Sequence, residues 1–311
     1  MKKLLFKLMV FIALFVFIDY GIGMVFTHFC DKAINLPIDY GTAYLKVVKQ
    51  IDDDIVIFGE SRARHQYVPS LIEDALGLST INVAMDGSYM SQQAAVIRLM
   101  LNRHIPKVII WEVDAVSIMD KFRNDEIDRM SDLNPFYDID SLSHNLVLQK
   151  GDYEWIKMWS RAYRNNNCLL RMIRVLSKGD YNDTLKGYWP VKTKGYKYPT
   201  KRDRIFEDDL NNEKLQLLKM TIADIQKSDC ILIIVNSPQY ENCNLETTFQ
   251  GLAFDSLLDE MNVAHLNHHF DSRLLEDSTL FKDCSHLNAK GVEIYMGFLI
   301  PEIKQFLENE N

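Results

Sequence analysis

The sequence predicts an α/β fold, a three-layer α/β/α sandwich around a five-stranded parallel sheet, with an N-terminal transmembrane helix and a largely helical insertion. Two observations predict the sandwich. Short apolar runs rich in β-branched residues, typical of central parallel strands, alternate with longer segments of helical period. This alternation occupies residues 55–114 and resumes at 211, as is typical of a doubly wound sheet.

Five segments have the composition of buried strands. They are Ile55–Phe58, Thr80–Ala84, Lys107–Val113, Cys230–Val235 and Val263–Leu266. The main helices predicted between and after them are 69–76, 91–104, 211–227, 245–261 and 288–307. Pro69 suits the first position of its helix, and Asn288 is the predicted N-cap of the last one.

The N-terminus carries three lysines among its first seven residues, followed by an apolar run from Leu8 to Phe26. The run is long enough to cross a membrane if Asp19 is tolerated near its far end. A cleaved signal peptide is the alternative, but no small-residue cleavage site follows the apolar core. We favour an uncleaved anchor over residues 1–30 of a single-pass membrane protein. The lysines predict a cytoplasmic N-terminus and a folded domain outside the cytoplasm.

Residues 115–206 break the strand–helix rhythm and form a predicted insertion within one domain that spans 31–311. The stretch is rich in charged and aromatic residues, with helices predicted at 141–148 and 153–176 and a basic loop at 192–204. Such excursions often cover the active-site edge of an α/β core, where aromatic rings can stack on sugars. A small local core is the other explanation of these aromatic residues, and it is the one we favour.

Charge and cysteine content exclude several classes of protein. A net charge of -8 argues against a nucleic-acid binder, which needs a basic face. The five cysteines form no C-x-x-C pair, and the three histidines between positions 265 and 269 offer no defined ligand face, so no metal site is expected. Cys168, Cys230 and Cys243 are interpreted as ordinary residues, while a disulfide from Cys30 stays open.

Ser61 follows directly on the first strand, in the run Phe58-Gly-Glu-Ser-Arg. In an open α/β sheet, ligands and chemistry occupy the crevice outside the carboxyl ends of the strands. Ser61 is therefore a candidate nucleophile if the chain also supplies a base, a group that orients it and donors for an oxyanion. The alternative is that Ser61 only caps the following helix.

Asp283 and His286 stand between the last strand and the last helix. His286 can accept the proton of Ser61, and Asp283 can fix the imidazole tautomer and stabilise the imidazolium, as in a serine triad. An isolated Asp-x-x-His is a weak signal. Its place after the last strand of a sheet whose first strand ends in Gly-Glu-Ser strengthens the hypothesis.

Gly59-Glu-Ser61, Gly87 after the second strand and Asp283-Cys-Ser-His286 together resemble the short blocks of the SGNH hydrolase superfamily, also called GDSL-type. With the anchor and the insertion, the chain is similar to membrane-linked bacterial members, which include proteins that add or remove O-acetyl groups on extracellular polysaccharides. The resemblance covers residues 55–114 and 228–308 and implies a flavodoxin-like sheet.

The resemblance implies a role for each matching residue. Ser61 would be the nucleophile and its backbone N–H the first oxyanion donor, with the N–H of Gly87 as the second. His286 would be the base and Asp283 its partner, and no cofactor is implied. The third family donor, an asparagine after the third strand, is missing, because that strand ends in Trp111-Glu-Val-Asp114. Substitutes considered are Arg62, Arg64 and Asn82.

Six further polar residues are predicted to line the cleft, because they stand at or just beyond strand ends. They are Glu60, Arg62, Arg64, Asp86, Glu112 and Asp114. Loss of one oxyanion donor typically costs about a hundredfold to a thousandfold in rate. The residues that replace the missing asparagine therefore bear on whether the site reacts at all.

The leading hypothesis is a serine esterase or O-acyltransferase that acts on acyl esters, acetyl above all, of an extracytoplasmic glycan through an acyl-Ser61 intermediate. Its expected partners are the cytoplasmic membrane, a glycan substrate and a membrane protein that donates acyl groups. The alternative is a catalytically degenerate glycan-binding or assembly protein with the same fold. An unrelated flavodoxin-like binding domain is disfavoured, because the first loop lacks a phosphate cradle.

Overall fold

In the computed structural model, which describes residues 1–36, 38, 42–120, 123–178, 185–191 and 198–310, five parallel strands form the main sheet. They are β1 (Ile55–Phe58), β2 (Thr80–Asn82), β3 (Val108–Glu112), β5 (Ile231–Asn236) and β7 (Ala264–Asn267). A separate pair joins β4 (Arg202–Arg204) and β6 (Glu241–Cys243) in parallel. The predicted α/β class and its five-stranded parallel sheet are confirmed.

The order of strands in the main sheet is β2-β1-β3-β5-β7. The chain therefore places β2 on one side of β1 and all later strands on the other. In a doubly wound sheet this switch point opens a crevice beyond the carboxyl ends of the two strands beside it, here β1 and β3. Ile57 pairs with Ile110, and Ile110 pairs with Ile233, so the three central strands are in register.

Helices cover both faces of the sheet. On one face, Ile57 and Ile110 belong to a buried cluster with Tyr295 and Leu299 of α13 (Ala289–Glu310). The same face carries α3 (Ser61–Gln66), α4 (Pro69–Leu76) and α12 (Ser272–Leu275). Trp111 points to the other face, because side chains alternate along a strand. Its indole N–H donates to Gln93 of α5 (Met90–Leu101) at 2.6 Å, and α10 (Asn212–Lys227) packs on α5.

The remaining helices complete the chain. They are α1 (Lys2–Ala33), α2 (Ala43–Lys49), α6 (Arg123–Arg129), α7 (Ser141–Leu148), α8 (Glu154–Lys157), α9 (Arg161–Lys178) and α11 (Phe249–Glu260). Short 3-10 helices occupy Ala115–Ile118, Met130–Phe136, Leu245–Thr247 and Ser278–Leu280. Among the described residues, α1 is the one helix long and apolar enough to cross a membrane, a property that a signal sequence shares.

The chain divides into two compact units. The helical unit contains residues 1–50 and 124–181, and the sheet unit contains residues 51–123 and 182–311. The predicted boundaries, an anchor over 1–30 and one domain with an insertion at 115–206, stay predictions. Parts of that insertion, at 121–122, 179–184 and 192–197, lie outside the described residues, including half of the predicted basic loop.

Within the helical unit, α1 packs along α9. Gly23 permits this close approach, because a Cβ at its position would lie 2.3 Å from the Cβ of Arg161. A disulfide joins Cys30 of α1 to Cys168 of α9 across 138 residues of sequence. The interpretation of Cys168 as an ordinary residue is therefore wrong, since the packing of α9 on α1 brings it to Cys30.

Two predicted elements differ from the observed ones in type or in their boundaries. The turn after β1 is itself a helix, α3, which begins on Ser61. The single helix predicted at 153–176 is divided into α8 and α9, because the Ser160 hydroxyl accepts a hydrogen bond from the Tyr163 backbone N–H at 3.0 Å. A serine hydroxyl that accepts this bond is typical of the start of a new helix.

Candidate active site

Three side chains form a continuous hydrogen-bonded chain at the edge of the sheet unit. His286 Nε2 lies 2.8 Å from Ser61 Oγ, and His286 Nδ1 lies 2.8 and 3.0 Å from the two carboxylate oxygens of Asp283. Ser61 is the first residue of α3, directly beyond β1. The structure therefore brings together the predicted nucleophile, base and orienting carboxylate at the crevice beside the switch point.

The segment that carries Asp283 and His286 is a tight loop. Phe281 and Leu287, both buried, pair at its base, and the Lys282 N–H donates to the His286 carbonyl at 2.8 Å. Asp283 Oδ1 also accepts the backbone N–H of His286 at 3.0 Å. Because the closed loop fixes the backbone on both sides of the pair, the sequence Asp-x-x-His is enough to direct both side chains to one point.

Another hydrogen bond ties the same loop to the nucleophile helix. The Gln66 side-chain N–H donates to the Ser285 carbonyl at 3.1 Å, and Gln66 is buried at the end of α3. The serine at the start of α3 and the histidine of the loop are thus held by a shared contact. This contact limits the freedom of Ser61 Oγ relative to His286.

The hydrogen bonds select one tautomer of His286. A carboxylate only accepts, so the proton sits on Nδ1 and faces Asp283, which leaves the lone pair of Nε2 for the Ser61 hydroxyl. Partial burial tends to raise the pKa of Asp283, but the hydrogen bond and positive charge of His286 outweigh it and lower that pKa. Asp283 is thus ionised at neutral pH and can stabilise an imidazolium on His286.

The turn that carries Gly87 is fastened to the end of β1. Gly87 has φ +66°, a left-handed conformation that favours glycine. The Met85 N–H and the Ser88 hydroxyl both donate to the Gly59 carbonyl, at 3.2 and 3.0 Å. The second predicted oxyanion donor is therefore on a turn bound to the residue two positions before Ser61.

Asp86 connects this turn to the nucleophile helix. Its carboxylate lies 3.1 Å from Arg64 Nη1 and 3.3 Å from His65 Nε2. Partial burial would raise the pKa of Asp86, but the hydrogen bond to His65 and the charges of Arg64, His65 and His286 lower it. Since Asp86 directly precedes Gly87, the ion pairs position the turn relative to α3.

His65 and Trp189 belong to the site although no motif or spacing in the sequence indicates them. His65 Nδ1 lies 2.6 Å from the Trp189 carbonyl, and the His65 ring meets the His286 ring edge to face at 5.4 Å. The Arg64 guanidinium lies over the Trp189 ring, 5.0 Å from its centroid. A segment of the predicted insertion thus contacts the end of α3, and neither residue could be found from spacing alone.

Most of the residues predicted to line the cleft are buried instead. Arg62 and Asp114, 4% and 5% exposed, form an ion pair at 2.7 Å, and Arg62 also lies 3.3 Å from Glu112. Arg64 is buried as well, while Glu60 and Asp86 are half-buried. The Arg62 side chain folds over the strand ends and forms ion pairs with both carboxylates, and the cleft-lining role of Arg62, Glu112 and Asp114 stays a prediction.

Glu112 is the centre of this buried network. Its carboxylate accepts hydrogen bonds from the Tyr67 hydroxyl and from both the backbone N–H and the hydroxyl of Ser237, the latter two at 3.1 and 3.0 Å. Burial, followed by the charge of Glu112, raises the pKa of Tyr67 well above its ordinary value, so the phenol stays a donor. The network ties the end of β3 to Tyr67, which follows α3, and to Ser237, which follows β5.

The substitutes considered for the missing asparagine are bound elsewhere. Asn82 donates both amide protons, to the Ala63 and Tyr67 carbonyls at 2.8 and 3.1 Å. Asp114 occupies the position after β3, and its two oxygens accept from Arg62 and from the Val116 N–H. Neither Asn82 nor Arg62 is therefore placed to stabilise an oxyanion.

The histidines that follow the last strand bind different partners. His265 Nε2 lies 2.7 Å from the Asn236 side-chain oxygen, and His268 Nε2 lies 2.6 Å from Glu302. His269 belongs to a third group with Glu241 and Cys243, in which the potential metal-ligand atoms lie within 4.8 Å of one another.

That third group forms an ion-pair cluster in the structure, and the expected absence of a metal site stays a prediction. Burial lowers the pKa of His269, but Cys243 and Glu241 outweigh it and raise that pKa to about 9, so the imidazole is protonated and pairs with the Glu241 carboxylate at 3.5 Å. Burial alone would raise the pKa of Glu241. The hydrogen bonds from His269 and Arg202 outweigh it and lower that pKa to about 2. Arg202 Nη2 lies 2.5 Å from the same carboxylate.

Comparison with known proteins finds a distant likeness among solved structures. No protein-family model and no curated protein is a significant match to the sequence. Among solved structures, the chain is similar to the psychrotrophic esterase EstA from Pseudoalteromonas sp., in a structure inhibited by monoethylphosphonate. The two are 10% identical, with 82% of this chain and 100% of the esterase covered and a TM-score of 0.43. At that distance the function has to be argued from the site itself.

Proposed function

We propose that the protein is a membrane-anchored serine esterase or O-acyltransferase of the SGNH type, with Ser61 as nucleophile, His286 as general base and Asp283 as its orienting carboxylate. The observation that carries the proposal is the hydrogen-bonded chain from Asp283 through His286 to Ser61, with distances of 2.8 Å on both sides of the imidazole. A serine that merely caps a helix needs no such partner.

The reaction uses these groups in two steps. Ser61 Oγ attacks the acyl carbonyl carbon while its proton passes to His286 Nε2, and the N–H groups of Ser61 and Gly87 receive the developing oxyanion. Collapse breaks the ester C–O bond, and His286 returns the proton to the leaving alkoxide oxygen. Water or a sugar hydroxyl then attacks acyl-Ser61 by the same route, which gives hydrolysis or transfer.

We also propose a setting outside the bacterial cytoplasm and an O-acylated glycan as substrate. The membrane-length helix α1 and the Cys30–Cys168 disulfide support the location, because disulfides persist in oxidising compartments. The position of Trp189 beside α3 supports a sugar substrate, since indole rings stack on sugar faces. A membrane protein that supplies acyl groups stays part of the proposal for the transferase alternative.

A second candidate is a glycan-binding or assembly protein that has lost the reaction. It is favoured by the commitment of Asn82 and Arg62 to other partners, which leaves two backbone donors for the oxyanion. Loss of a third donor costs about a hundredfold to a thousandfold in rate. We therefore expect a slow enzyme, and the binding protein is the outcome if no acylation of Ser61 is seen.

A fluorophosphonate probe tests the proposal. The full-length chain in detergent is treated with the probe alongside Ser61→Ala and Ser285→Ala, whose serine lies in the loop between Asp283 and His286. We expect labelling of the wild type and of Ser285→Ala, and none of Ser61→Ala. A well-folded wild type that takes up no probe, or equal labelling of Ser61→Ala, would favour the binding protein.

Hydrolysis and transfer are separated by a second measurement. An aryl acetate is supplied with and without an oligosaccharide acceptor, and acetate and acetylated sugar are both quantified. A transferase forms acetylated sugar at the expense of acetate when the acceptor is present. An esterase releases the same acetate in both cases.

A further inference from the structure

Four apolar or aromatic side chains around α8 lie on the outside of the helical unit. They are Tyr153, Trp155, Ile156 and Trp159, here named the aromatic patch. Trp159 is 75% exposed, and the two indoles meet edge to face at 5.8 Å. We infer that the aromatic patch lies in the membrane interface, against the lipid headgroups of the leaflet where α1 leaves the bilayer. The inference rests on the proposed membrane span of α1.

The geometry of α1 sets the depth of the patch. A hydrocarbon core of about 30 Å takes about 20 residues of helix at a rise of about 1.5 Å per residue. The exposed apolar side chains of α1 begin at Leu4, directly after Lys2 and Lys3, and continue to Val25. A span counted from Leu4 ends near Gly23, which leaves Asp19 about 6 Å inside that boundary. Lys7 then lies within the first turn of the span, where its long side chain can reach back to the inner interface.

Asp19 binds the residues next to the patch. Its carboxylate accepts a hydrogen bond from the Ser160 hydroxyl and another from the Arg161 backbone N–H at 2.9 Å. The Arg161 guanidinium lies over the ring of Tyr20, 4.4 Å from its centroid. Since Trp159 directly precedes Ser160, its indole is held at the depth of Asp19, just inside the outer boundary of the span.

The same contacts explain how an acidic residue is tolerated in the apolar part of α1. A polar group without a hydrogen-bond partner is strongly disfavoured in hydrocarbon. The carboxylate of Asp19 has two donors from the α8–α9 junction. The junction must therefore enter the interface together with Asp19, and it brings Trp159 with it.

The inner face of α8 fixes the direction of the patch. Glu154 is buried, forms ion pairs with Lys150 at 3.1 Å and Lys157 at 2.6 Å, and accepts the Tyr163 hydroxyl at 3.2 Å. Its neighbour Trp155 is turned outward, where it is 48% exposed. Tryptophan and tyrosine are enriched at membrane interfaces, because their rings are apolar and their N–H or O–H groups reach water.

Quenching of tryptophan emission by brominated lipids tests the inference. The full-length chain is reconstituted in phosphatidylcholine vesicles whose acyl chains carry bromine either near the headgroup or near the tail. We expect quenching of the wild type, stronger with bromine near the headgroup, and loss of that quenching in Trp155→Phe/Trp159→Phe. Trp189→Phe, which keeps the patch and removes an indole of the sheet unit, is the matched control and should keep the quenching.

Three results would overturn the inference. Wild type that remains in carbonate-washed membranes but is not quenched would show a patch that faces water or another protein. Equal quenching of the wild type and Trp155→Phe/Trp159→Phe would assign the lipid contact to other indoles. Extraction of the chain from the vesicles by carbonate would show that α1 does not span the membrane. Fluorophosphonate labelling of Ser61 is independent of all three, so a failure here is distinguishable from a failure of the proposed chemistry.

Discussion

Replacement of Asp283 by asparagine tests the proposed mechanism at the carboxylate that orients His286. The side chain of Asp283 is 44% exposed, so water screens part of its charge, but both of its oxygens lie within 3.0 Å of His286 Nδ1. In a buried triad the loss of this charge costs about ten-thousandfold. With the screening we expect about a thousandfold, or ~4 kcal/mol of transition-state stabilisation.

Asparagine keeps the shape of the loop. The Asp283 oxygen that accepts the Ser285 and His286 backbone N–H groups, at 2.9 and 3.0 Å, is replaced by an amide oxygen that accepts them equally well. The expected loss is therefore mainly in reactivity, and the fold of the loop is kept. Asp277→Asn is the matched control. Asp277 accepts the Thr279 N–H at 2.8 Å in the same way, but it orients no histidine among the described residues.

The assay is the second-order rate constant for fluorophosphonate labelling of Ser61, measured on the full-length chain in detergent. We expect Asp277→Asn to react like the wild type. An Asp283→Asn rate within about tenfold of the wild type would refute the reasoning, because it would show that the charge next to His286 does not assist the transfer of the proton.

The pKa of Asp283 also sets a pH expectation. Because folding lowers that pKa, the stabilising contribution is complete above the ordinary carboxyl pKa and is lost as pH falls through the lowered value. Loss of labelling at weakly acidic pH would therefore not come from Asp283. In urea unfolding, Asp283→Asn should match the wild type in acid more closely than at neutral pH.

Further predictions concern the disulfide, a glycine and the turn. Cys30→Ser/Cys168→Ser should lower the free energy of unfolding by about 2–4 kcal/mol, measured in detergent, with the reduced wild type behaving alike. Gly59→Ala should cost about 2–4 kcal/mol in the same assay, because its φ is +153° and a Cβ would lie 2.6 Å from the nearest side chain, whereas Gly297→Ala in open space should cost nothing. Asp86→Asn should slow Ser61 labelling about tenfold to a hundredfold without changing stability comparably, and an unchanged rate would contradict the positioning of the oxyanion turn.

The sequence predicted those parts of the fold that can be recognised from the pattern of apolar residues along the chain. Strands β1, β3 and β5 are buried on both faces, so their residues are apolar up to the polar last residues of β3 and β5 and stand out from the helical period. The meeting of Ser61 with His286 follows from topology, because both segments reach the same edge of a doubly wound sheet. Their catalytic roles stay predictions.

The rest depends on contacts between distant segments, which have no local pattern. Nothing near Cys168 indicates that it meets Cys30, since only the packing of α9 on α1 creates the pair. Polar residues at strand ends usually line a cleft, and spacing cannot show that Arg62 folds back and buries Glu112. Trp189 joins the site through its carbonyl and its ring, contacts that no motif encodes.

The packing of α1 has a practical consequence for producing the protein without its membrane. A chain shortened to begin after Cys30, where the predicted anchor ends, would lack the partner of Cys168 and the surface on which α9 packs. The remaining thiol and the uncovered face of α9 would favour intermolecular disulfides and aggregation. A shortened chain that begins just before Asp19 would keep Gly23, Cys30 and the cap of α9, and it should stay monomeric where the shorter one does not.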